Sequence, residues 1–419
     1  MYRAEDLQNK CLVAVKITCS NKAFFKQSQT ELKILRALWE NNAADEWNIV
    51  KLLSAFKLPA NKHPNDNDND KNWHQCLVFE LLHMDLHDLL KSDNYRGLDV
   101  FDTTDVVGHI ARALSFIHQR VHVANDKSHS VVHADLKPEN IVLRSLNDNA
   151  DVKLIDFSSA CFADEKAYSY IQSRPFRAPE ITLQSGYDTA IDIWSLGCVA
   201  VETWTGKPLF KAESTSDLLI RQIALLGLPP EAVLLKAKDR VRDKYFYRCA
   251  RHGWEVRRRY MERLRKMSCS WTDVLGSKWN PNHEAAKCLL HLVQRMLEWD
   301  HDTRITAEEA LRHELFDPPT IDFLFPRPKL DKAPTFTCCE GKPTCATTTV
   351  EAHQSTDHKA LVDINMPDAA PPRRPPTPRP RSPFSEFLQQ ETRELDVALG
   401  NYVLDAANRV ESGDVVMKE

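Results

Sequence analysis

The sequence lacks the features that would assign it to several common classes of protein. Its net charge is −4 over 419 residues, so no overall basic field favours nucleic-acid binding. No apolar run approaches the roughly 20 residues of a membrane span, and Met1–Asp6 has no apolar core behind a basic end, as a signal peptide requires. These absences predict an intracellular protein, cytoplasmic or nuclear, with no membrane partner.

The 11 cysteines lack the paired spacing of a zinc site. Most of them, such as Cys76 and Cys198, lie in apolar contexts and are interpreted as reduced structural thiols. Cys338, Cys339 and Cys345 form a cluster, but no histidine stands at ligand spacing, so metal binding is not predicted there.

The stretch that organises the chain is His133–Asn140, which reads HADLKPEN. From one loop, Asp135 can act as a base beside a hydroxyl, Lys137 can place a cation on a γ-phosphate, and Asn140 can bind a metal. An isolated octapeptide of this kind could equally be a polar turn. The pattern therefore needs support from other motifs.

Two further motifs follow in the order that a phosphoryl-transfer enzyme of the protein kinase type requires. Within Lys153–Ser158, Asp156 stands at the end of an apolar strand and can supply a second metal contact, and Ala178–Glu180 reads APE. Three ordered motifs predict a kinase that uses ATP and Mg²⁺.

The amino-terminal part supplies the groups expected to hold ATP. Leu12–Ile17 is a β-branched strand with Lys16 inside it, and residues 23–39 have a helical period that places Glu31 towards that lysine. A solvated glutamate is the alternative, and the ion pair is preferred. Strands are also predicted at 49–58 and 76–81, separated by an Asn/Asp-rich loop at 61–75 that lacks the Gly and Glu of a calcium site.

The segment after the last of these strands is predicted to be the hinge between two lobes. Backbone groups of Glu80 and Leu82 would bind adenine, and Phe79 would limit the depth of the pocket. Further on, Asp192 opens an apolar helix. It is expected to accept backbone hydrogen bonds from His133–Asn140, the catalytic loop of the predicted kinase. Arg304 is expected to pair with Glu180.

Residues 229–280 are basic and aromatic by turns, a pattern that taken alone suggests RNA binding. A solvated helical insertion is preferred, because no aromatic platform motif accompanies the charges. A helix is predicted at 285–297. From about residue 326 the chain becomes rich in Pro, Thr, Ala and Arg, and this composition predicts a disordered tail with a transient helix at 384–411.

Over roughly residues 2–316 the chain resembles the dual-specificity tyrosine-regulated kinases, with the homeodomain-interacting kinases next. The strings that carry the resemblance are NKAFFKQSQTELKIL, CLVFELL, DLHDLLKSDNYRG, HADLKPENIVL, IDFSSAC, YSYIQSRPFRAPEI and YDTAIDIWSLGC. The resemblance implies that Tyr170 is phosphorylated by the kinase itself and that Arg174 and Arg177 hold the phosphate. A phosphate needs guanidinium groups to order the segment around it. Many kinases carry an arginine at the position of Ala134 in the catalytic loop. This chain has no arginine there, so Arg174 and Arg177 would supply the guanidinium groups.

Two departures from the family pattern stand out. No G-x-G-x-x-G occurs, so a chain truly starting at Met1 would lack the phosphate lid and the first strand of the small lobe, and weak or no activity is expected from it. Ser158 replaces the usual glycine after Asp-Phe and is expected to restrict movement of Asp156.

Together these features predict an α+β bilobal kinase fold. The predicted divisions are a small lobe at 1–82, a large lobe at 83–325 and a disordered tail at 326–419. The predicted function is transfer of the ATP γ-phosphoryl group to Ser or Thr of proteins, with autophosphorylation of Tyr170. The alternative is a pseudokinase scaffold, and binding of nucleic acid is not favoured.

The tail contains two segments with the substrate pattern that the resemblance implies, an arginine three residues before the target and a proline after it. These segments make Thr377 and Ser382 candidate autophosphorylation sites, with Glu139 expected to meet the arginine. The alternative is a proline-rich segment that binds an SH3-like partner or is modified by another proline-directed kinase.

Overall fold

The computed structural model describes residues 1–18, 22–40, 46–59, 73–119, 121–123, 127–145, 150–165, 171–267 and 269–316. Within these ranges, no helix combines the length and apolar character needed to cross a bilayer. The predicted tail, its transient helix, most of the 61–75 loop, Tyr170, Thr377 and Ser382 lie outside the described residues. The predicted domain boundaries stay predictions.

The small lobe is built on an antiparallel sheet with the strand order β1-β2-β4-β3. Its strands are β1 (Tyr2–Asp6), β2 (Cys11–Ile17), β3 (Leu52–Pro59) and β4 (Trp73–Glu80). In β2, Val13 and Val15 are buried on one face, while Ala14 and Lys16 are partly buried on the other, as the predicted strand requires. The predicted 61–75 loop is too long at its end, because residues 73–75 already pair with β3.

Helix α1 (Lys22–Glu40) follows β2 and packs against the sheet. Ile34, Leu35 and Leu38 are almost fully buried, which explains the helical period of the sequence. The same burial fixes the rotation of the helix. Glu31 is consequently buried and faces the cleft, rather than lying on a solvated side.

The large lobe is mainly helical, with short paired strands around the catalytic loop. Its first part contains α2 (Leu86–Ser92), α3 (Val100–His118), β5 (Val121–Val123), β6 (Lys127–His129), β7 (Val131–Val132), β8 (Ile141–Leu143), β9 (Val152–Leu154) and β10 (Cys161–Phe162). The later part contains α4 (Pro179–Leu183), α5 (Ala190–Thr205), α6 (Thr215–Leu226), α7 (Glu231–Lys236), α8 (Asp239–Tyr245), β11 (Phe246–Cys249), β12 (Gly253–Val256), α9 (Arg258–Met267), α10 (Trp271–Leu275), α11 (Glu284–Met296) and α12 (Ala307–Leu311).

The core of the large lobe lies between α3 and α5, which are buried over most of their lengths. Their apolar side chains form one cluster with Leu35 of α1 and Leu154 of β9. Helix α5 therefore gives the catalytic loop a rigid base. The helix predicted at 285–297 is present as α11.

The insertion at 229–280 differs from the predicted solvated helical segment. It contains a β-hairpin, in which β11 pairs with β12 from Phe246 opposite Val256 to Cys249 opposite Gly253. Tyr245 and Phe246 are buried in a second apolar cluster with Ile220 of α6. The insertion therefore has its own core, and the arginines of α9 lie outside it.

Candidate active site

Asp192, which is fully buried near the start of α5, stabilises the catalytic loop. Its carboxylate accepts hydrogen bonds from the backbone amides of His133 at 2.8 Å and Ala134 at 2.9 Å, as predicted from the sequence. Ala134 has a φ of 65°, a conformation that costs an alanine of the order of 1 kcal/mol. The two bonds to Asp192 stabilise this strained turn, which directs the following residue, Asp135, into the cleft.

Asp135 has both carboxylate oxygens engaged. Lys137 Nζ lies 2.7 Å from Oδ2, and Ser173 Oγ donates to Oδ1 at 2.8 Å. Asn140 Nδ2 donates to the backbone carbonyl of Asp135 at 2.8 Å. The Oδ1 of Asn140 is then the atom of this side chain that could bind a metal. The structure thus brings together three predicted residues and adds Ser173, which the sequence analysis missed.

Asp156 follows β9 and lies beside the catalytic loop. The Ile155 amide donates to the carbonyl of Asn140 at 2.9 Å, so the loop and the end of β9 are directly connected. Phe157 is buried and packs its ring edge-on against His133, with centroids 5.1 Å apart. These contacts fix the position of Asp156.

Ser158 does not have the backbone conformation that would require glycine. The left-handed residue is Asp156, with a φ of 61°, whereas Ser158 lies in a short 3₁₀ turn without a positive φ. Its amide donates to Asp156 Oδ1 at 3.3 Å, and its carbonyl accepts from Gln27 Nε2 of α1 at 2.7 Å. Ser158 therefore fits this arrangement, and its effect on movement of Asp156 stays a prediction.

Lys16 joins both lobes at the cleft. Its ammonium lies 2.7 Å from Glu31 Oε1 and 2.7 Å from Asp156 Oδ1. Burial opposes the charge of Lys16, but the two carboxylates outweigh it and raise its pKa above 10.5. Burial also acts to raise the pKa of Asp156, yet the Lys16 charge and hydrogen bonds from Lys16 and Ser158 lower it to about 2. The predicted ion pair is thus part of a three-residue network.

The three residues of this network line a cavity of about 190 Å³. It is lined by the predicted adenine contacts and by apolar side chains from both lobes, including Phe79, Glu80, Leu82, Ala14, Val50 and Val142. The Glu80 side chain bonds Lys153 Nζ at 2.5 Å and the amide of Lys51 at 2.7 Å. The Glu80 amide also donates to the Lys51 carbonyl at 3.1 Å. Binding of adenine by backbone groups of Glu80 and Leu82 stays a prediction.

The second predicted ion pair is present in the large lobe. Arg304 donates to both oxygens of Glu180, at 2.6 and 3.0 Å, and both side chains are buried. The guanidinium also donates to the carbonyl of Ala190 at 2.9 Å and lies over the ring of Trp194, 5.2 Å from its centroid. Glu180 is thereby fixed between the start of α5 and the loop before α12.

The arginines predicted to hold phosphotyrosine have other partners among the described residues. Arg174 NH1 donates to the carbonyl of Glu213 at 2.8 Å, while its buried Nε has no hydrogen bond within the described part of the chain. Arg177 donates to the carbonyls of Ile171 at 3.0 Å and Gln172 at 2.7 Å. Their role towards Tyr170 stays a prediction.

A cavity of about 350 Å³ lies beside Asp135 and is bordered by Gln172, Ser173 and Arg177. Gln172 has a φ of 66°, and its buried amide bonds Ser195 Oγ at 2.8 Å and the Ala178 amide at 2.9 Å. This strained backbone turns the Gln172 carbonyl towards Arg177. The conformation could not be predicted, because nothing in the local sequence distinguishes Gln172 from an ordinary polar residue.

A buried carboxylate in α5 was also missed. Glu202 is 6% exposed, and its Oε2 has no hydrogen-bond partner within the described part of the chain. Burial and, secondarily, the charge of Glu139 raise its pKa from 4.5 to about 7. Glu139 itself is exposed. An acidic residue that follows the apolar run Cys198–Val201 in α5 was the signal that could have identified this site.

Comparison with known proteins agrees with this geometry. A family model described as "Protein kinase domain" matches residues 1–316. The dual specificity tyrosine-phosphorylation-regulated kinase 2 of Drosophila melanogaster is 33% identical over 326 residues, which are 76% of this chain and 40% of that protein. The human kinases 3 and 4 of that name are 34% identical over 336 residues and 33% identical over 308 residues, covering 78% and 74% of this chain. The chain spans 52% and 53% of those two proteins, or about half of their length.

Proposed function

Because this chain belongs to the protein kinase family and is similar to the dual-specificity tyrosine-phosphorylation-regulated kinases, we propose that it transfers the γ-phosphoryl group of ATP to Ser or Thr hydroxyls of proteins. The observation that carries the proposal is the Lys16 ammonium at 2.7 Å from both Glu31 and Asp156. This network joins the small lobe to Asp156, which follows β9 and lies beside the catalytic loop.

In the proposed reaction, Asp135 positions the substrate hydroxyl and accepts its proton. The hydroxyl oxygen forms a bond to the γ-phosphorus, the bond to the oxygen bridging the β- and γ-phosphates breaks, and ADP leaves with that electron pair. The bonds from Ser173 and Lys137 keep the Asp135 carboxylate in one orientation. Lys137 is also close enough to neutralise charge on the group being transferred.

The donor set suits Mg-ATP. Asn140 Oδ1 and the Asp156 carboxylate are hard oxygen ligands of the kind that Mg²⁺ prefers, and Lys16 is placed to hold the nucleotide phosphates. When bound, Mg²⁺ would neutralise the phosphate charge. A pseudokinase scaffold is less favoured, because the charged residues of the site keep a partner that orients them.

Two features support a substrate with proline directly after the target. Gln172 borders the cavity beside Asp135, and its carbonyl already accepts from Arg177 at 2.7 Å. An N–H group of the residue after the target would therefore have to share this carbonyl with the Arg177 guanidinium. Proline has no N–H group and makes no such demand.

Glu139 and Glu202 support an arginine before the target. A substrate guanidinium would pair with the exposed Glu139 and satisfy the free oxygen of Glu202. By the same chemistry, Thr377 and Ser382 remain proposed autophosphorylation sites, with an SH3-like partner as the alternative reading of the tail. The proposed location is the cytoplasm or the nucleus.

The experiment that tests the proposed function is transfer of labelled phosphate from Mg-ATP to a peptide with Arg three residues before, and Pro directly after, a serine. Asp135→Asn should abolish transfer, while Asp93→Asn, the same change at an exposed position, should leave it unchanged. Equal transfer by Asp135→Asn and the parent protein would refute the catalytic assignment.

A further inference from the structure

Four side chains capable of binding metal lie on the large lobe, away from the active site. Helix α11 carries Cys288 and His291 one turn apart, and His313 directly precedes the last described turn, which Glu314 begins. His291 Nδ1 lies 2.8 Å from His313 Nε2, with ring centroids 5.0 Å apart. The ligand atoms of His291, His313 and Glu314 all lie within 4.8 Å of one another.

The contact between the two imidazoles restricts their protonation. Nitrogens 2.8 Å apart cannot both carry a proton, so at least one of them presents a lone pair to the other. Neutral imidazole is the form that binds metals. Glu314 adds an exposed carboxylate beside this pair.

The other two clusters of this type are already engaged in different interactions. Within the described residues, Asp300 and Asp302 both contact the Lys236 ammonium, at 2.9 and 2.6 Å. In the third cluster, the carboxylate of Asp85 caps α2 by accepting from the Asp88 amide at 2.8 Å. The His291 cluster differs because two of its members are imidazoles that contact each other.

The geometry points to zinc: we propose that His291, His313 and Glu314 bind Zn²⁺, with the fourth position open to solvent. Two imidazoles and one carboxylate are an established zinc ligand set. With Zn–N bonds of about 2.0–2.1 Å, tetrahedral ligand nitrogens lie about 3.3 Å apart. The two nitrogens therefore need to separate by about half an ångström, and the rings, which meet head-on, need to turn so that both lone pairs point at the metal. The Cys288 thiol donates to Glu314 Oε1 at 3.6 Å and can orient that ligand.

Binding has a local cost and a structural consequence. Coordination through Nε2 places the His313 ring proton on Nδ1, so the 3.1 Å hydrogen bond from the Leu315 amide to Nδ1 is lost. In return, the metal joins α11 to the turn that contains Phe316. A Cβ at Gly108 of α3 would meet the Phe316 ring at 3.0 Å, so this turn already packs closely on α3. Zinc should therefore stabilise the contact of the turn with both helices.

The test is titration of the metal-free full chain with Co²⁺, whose visible absorption reports tetrahedral coordination. One equivalent should bind, and Zn²⁺ should displace it. His291→Ala should weaken binding by more than about tenfold, because loss of even an outer-shell partner of a ligand costs about 10-fold to 100-fold. His252→Ala is the matched control, because it removes an exposed histidine from the β11–β12 turn and should change nothing.

Thermal unfolding provides a second measurement that does not depend on kinase activity. Zn²⁺ should raise the melting temperature of the parent protein and of His252→Ala, but not that of His291→Ala. His291 is exposed, so this variant is expected to fold. Absence of stoichiometric Co²⁺ binding, or equal binding by His291→Ala and the parent protein, would overturn the proposal without affecting the proposed kinase function.

Discussion

Arg304 and Glu180 form a two-point ion pair in the interior of the large lobe, with N–O distances of 2.6 and 3.0 Å. Exposure of the two residues is only 3% and 2%. Such a pair links the segment after the catalytic loop to the loop before α12. If either partner is removed, the other charge remains buried and uncompensated.

The first prediction is therefore a large loss of stability for Arg304→Ala. The free energy of unfolding should fall by about 3–5 kcal/mol, as for other buried pairs that lose one partner. The control is Arg312→Ala, which removes an exposed i,i+4 pair with Glu308 and should cost at most about 1 kcal/mol. Urea unfolding measures both values. Similar losses in the two variants would show that the buried pair is not important for stability.

The second prediction concerns Ser173, which donates to Asp135 Oδ1 at 2.8 Å. Ser173→Ala should lower kcat by about 10-fold to 100-fold, because the proposed base loses an orienting bond, while the KM for ATP stays nearly constant. Ser173→Thr keeps the hydroxyl and should restore kcat. Steady-state kinetics with varied ATP distinguish the two parameters. A threonine variant as slow as the alanine variant would contradict the orienting role.

The contacts that the sequence predicted all involve a charged residue that stands in an apolar element or in an ordered motif. Lys16 interrupts an apolar strand, Asp192 opens an apolar helix and Glu180 belongs to a motif with a fixed place in the chain. A charge in an apolar element needs a partner, and motif order supplied the candidates. These partners are present at the expected positions, at 2.6–3.0 Å.

The relationships that were missed depend on tertiary approach. Ser173 and Asp135 are 38 residues apart in sequence, and Lys153 reaches Glu80 across 73 residues. Ser173 interrupts no pattern, and Lys153 interrupts the apolar strand β9 but no motif indicates its partner. The hairpin β11–β12 was missed because exposed residues such as Arg248 obscure the strand alternation of a short segment.

The third prediction is a pH-dependent preference for arginine in the substrate. The pKa of Glu202 is raised from 4.5 to about 7, so the ionised fraction rises about tenfold between pH 6 and pH 8. Only the ionised form attracts a guanidinium. The ratio of kcat/KM for a peptide with Arg before the target to that for its Ala counterpart should therefore rise by up to about tenfold across this range.

The ratio removes effects that are common to both peptides, including ionisation of other catalytic groups. Glu202→Gln should give a ratio that is low and independent of pH. Glu139→Gln should lower the ratio, and it should shift its midpoint to lower pH because a neighbouring negative charge has been removed. A parent ratio that stays flat from pH 6 to pH 8 would exclude Glu202 from arginine recognition.

The fourth prediction concerns Ser158, where kinases of the resembled family carry glycine. Since Ser158 has no positive φ in this structure, Ser158→Gly should not relieve strain. It should instead lower the free energy of unfolding by about 0.4–1 kcal/mol, because glycine gains more freedom in the unfolded chain. Chemical denaturation measures the change. A more stable glycine variant would show that Ser158 is strained.

The last prediction is that Tyr170 is phosphorylated by the kinase itself. Arg177 holds the carbonyls of Ile171 and Gln172, immediately after this tyrosine, and the buried Nε of Arg174 has no hydrogen bond within the described residues. A phosphate on Tyr170 would supply acceptor oxygens for this guanidinium.

Mass spectrometry of protein expressed in bacteria, where few other tyrosine kinases act, should place phosphate on Tyr170 in the parent protein and in Tyr168→Phe. Asp135→Asn should lack it, since autophosphorylation requires the proposed base. Arg174→Ala should still be phosphorylated but should lose the stabilisation that phosphate confers, which is measured as the difference in melting temperature before and after phosphatase treatment. Phosphate on Tyr168 alone, or on Tyr170 of the Asp135→Asn variant, would contradict autophosphorylation of Tyr170.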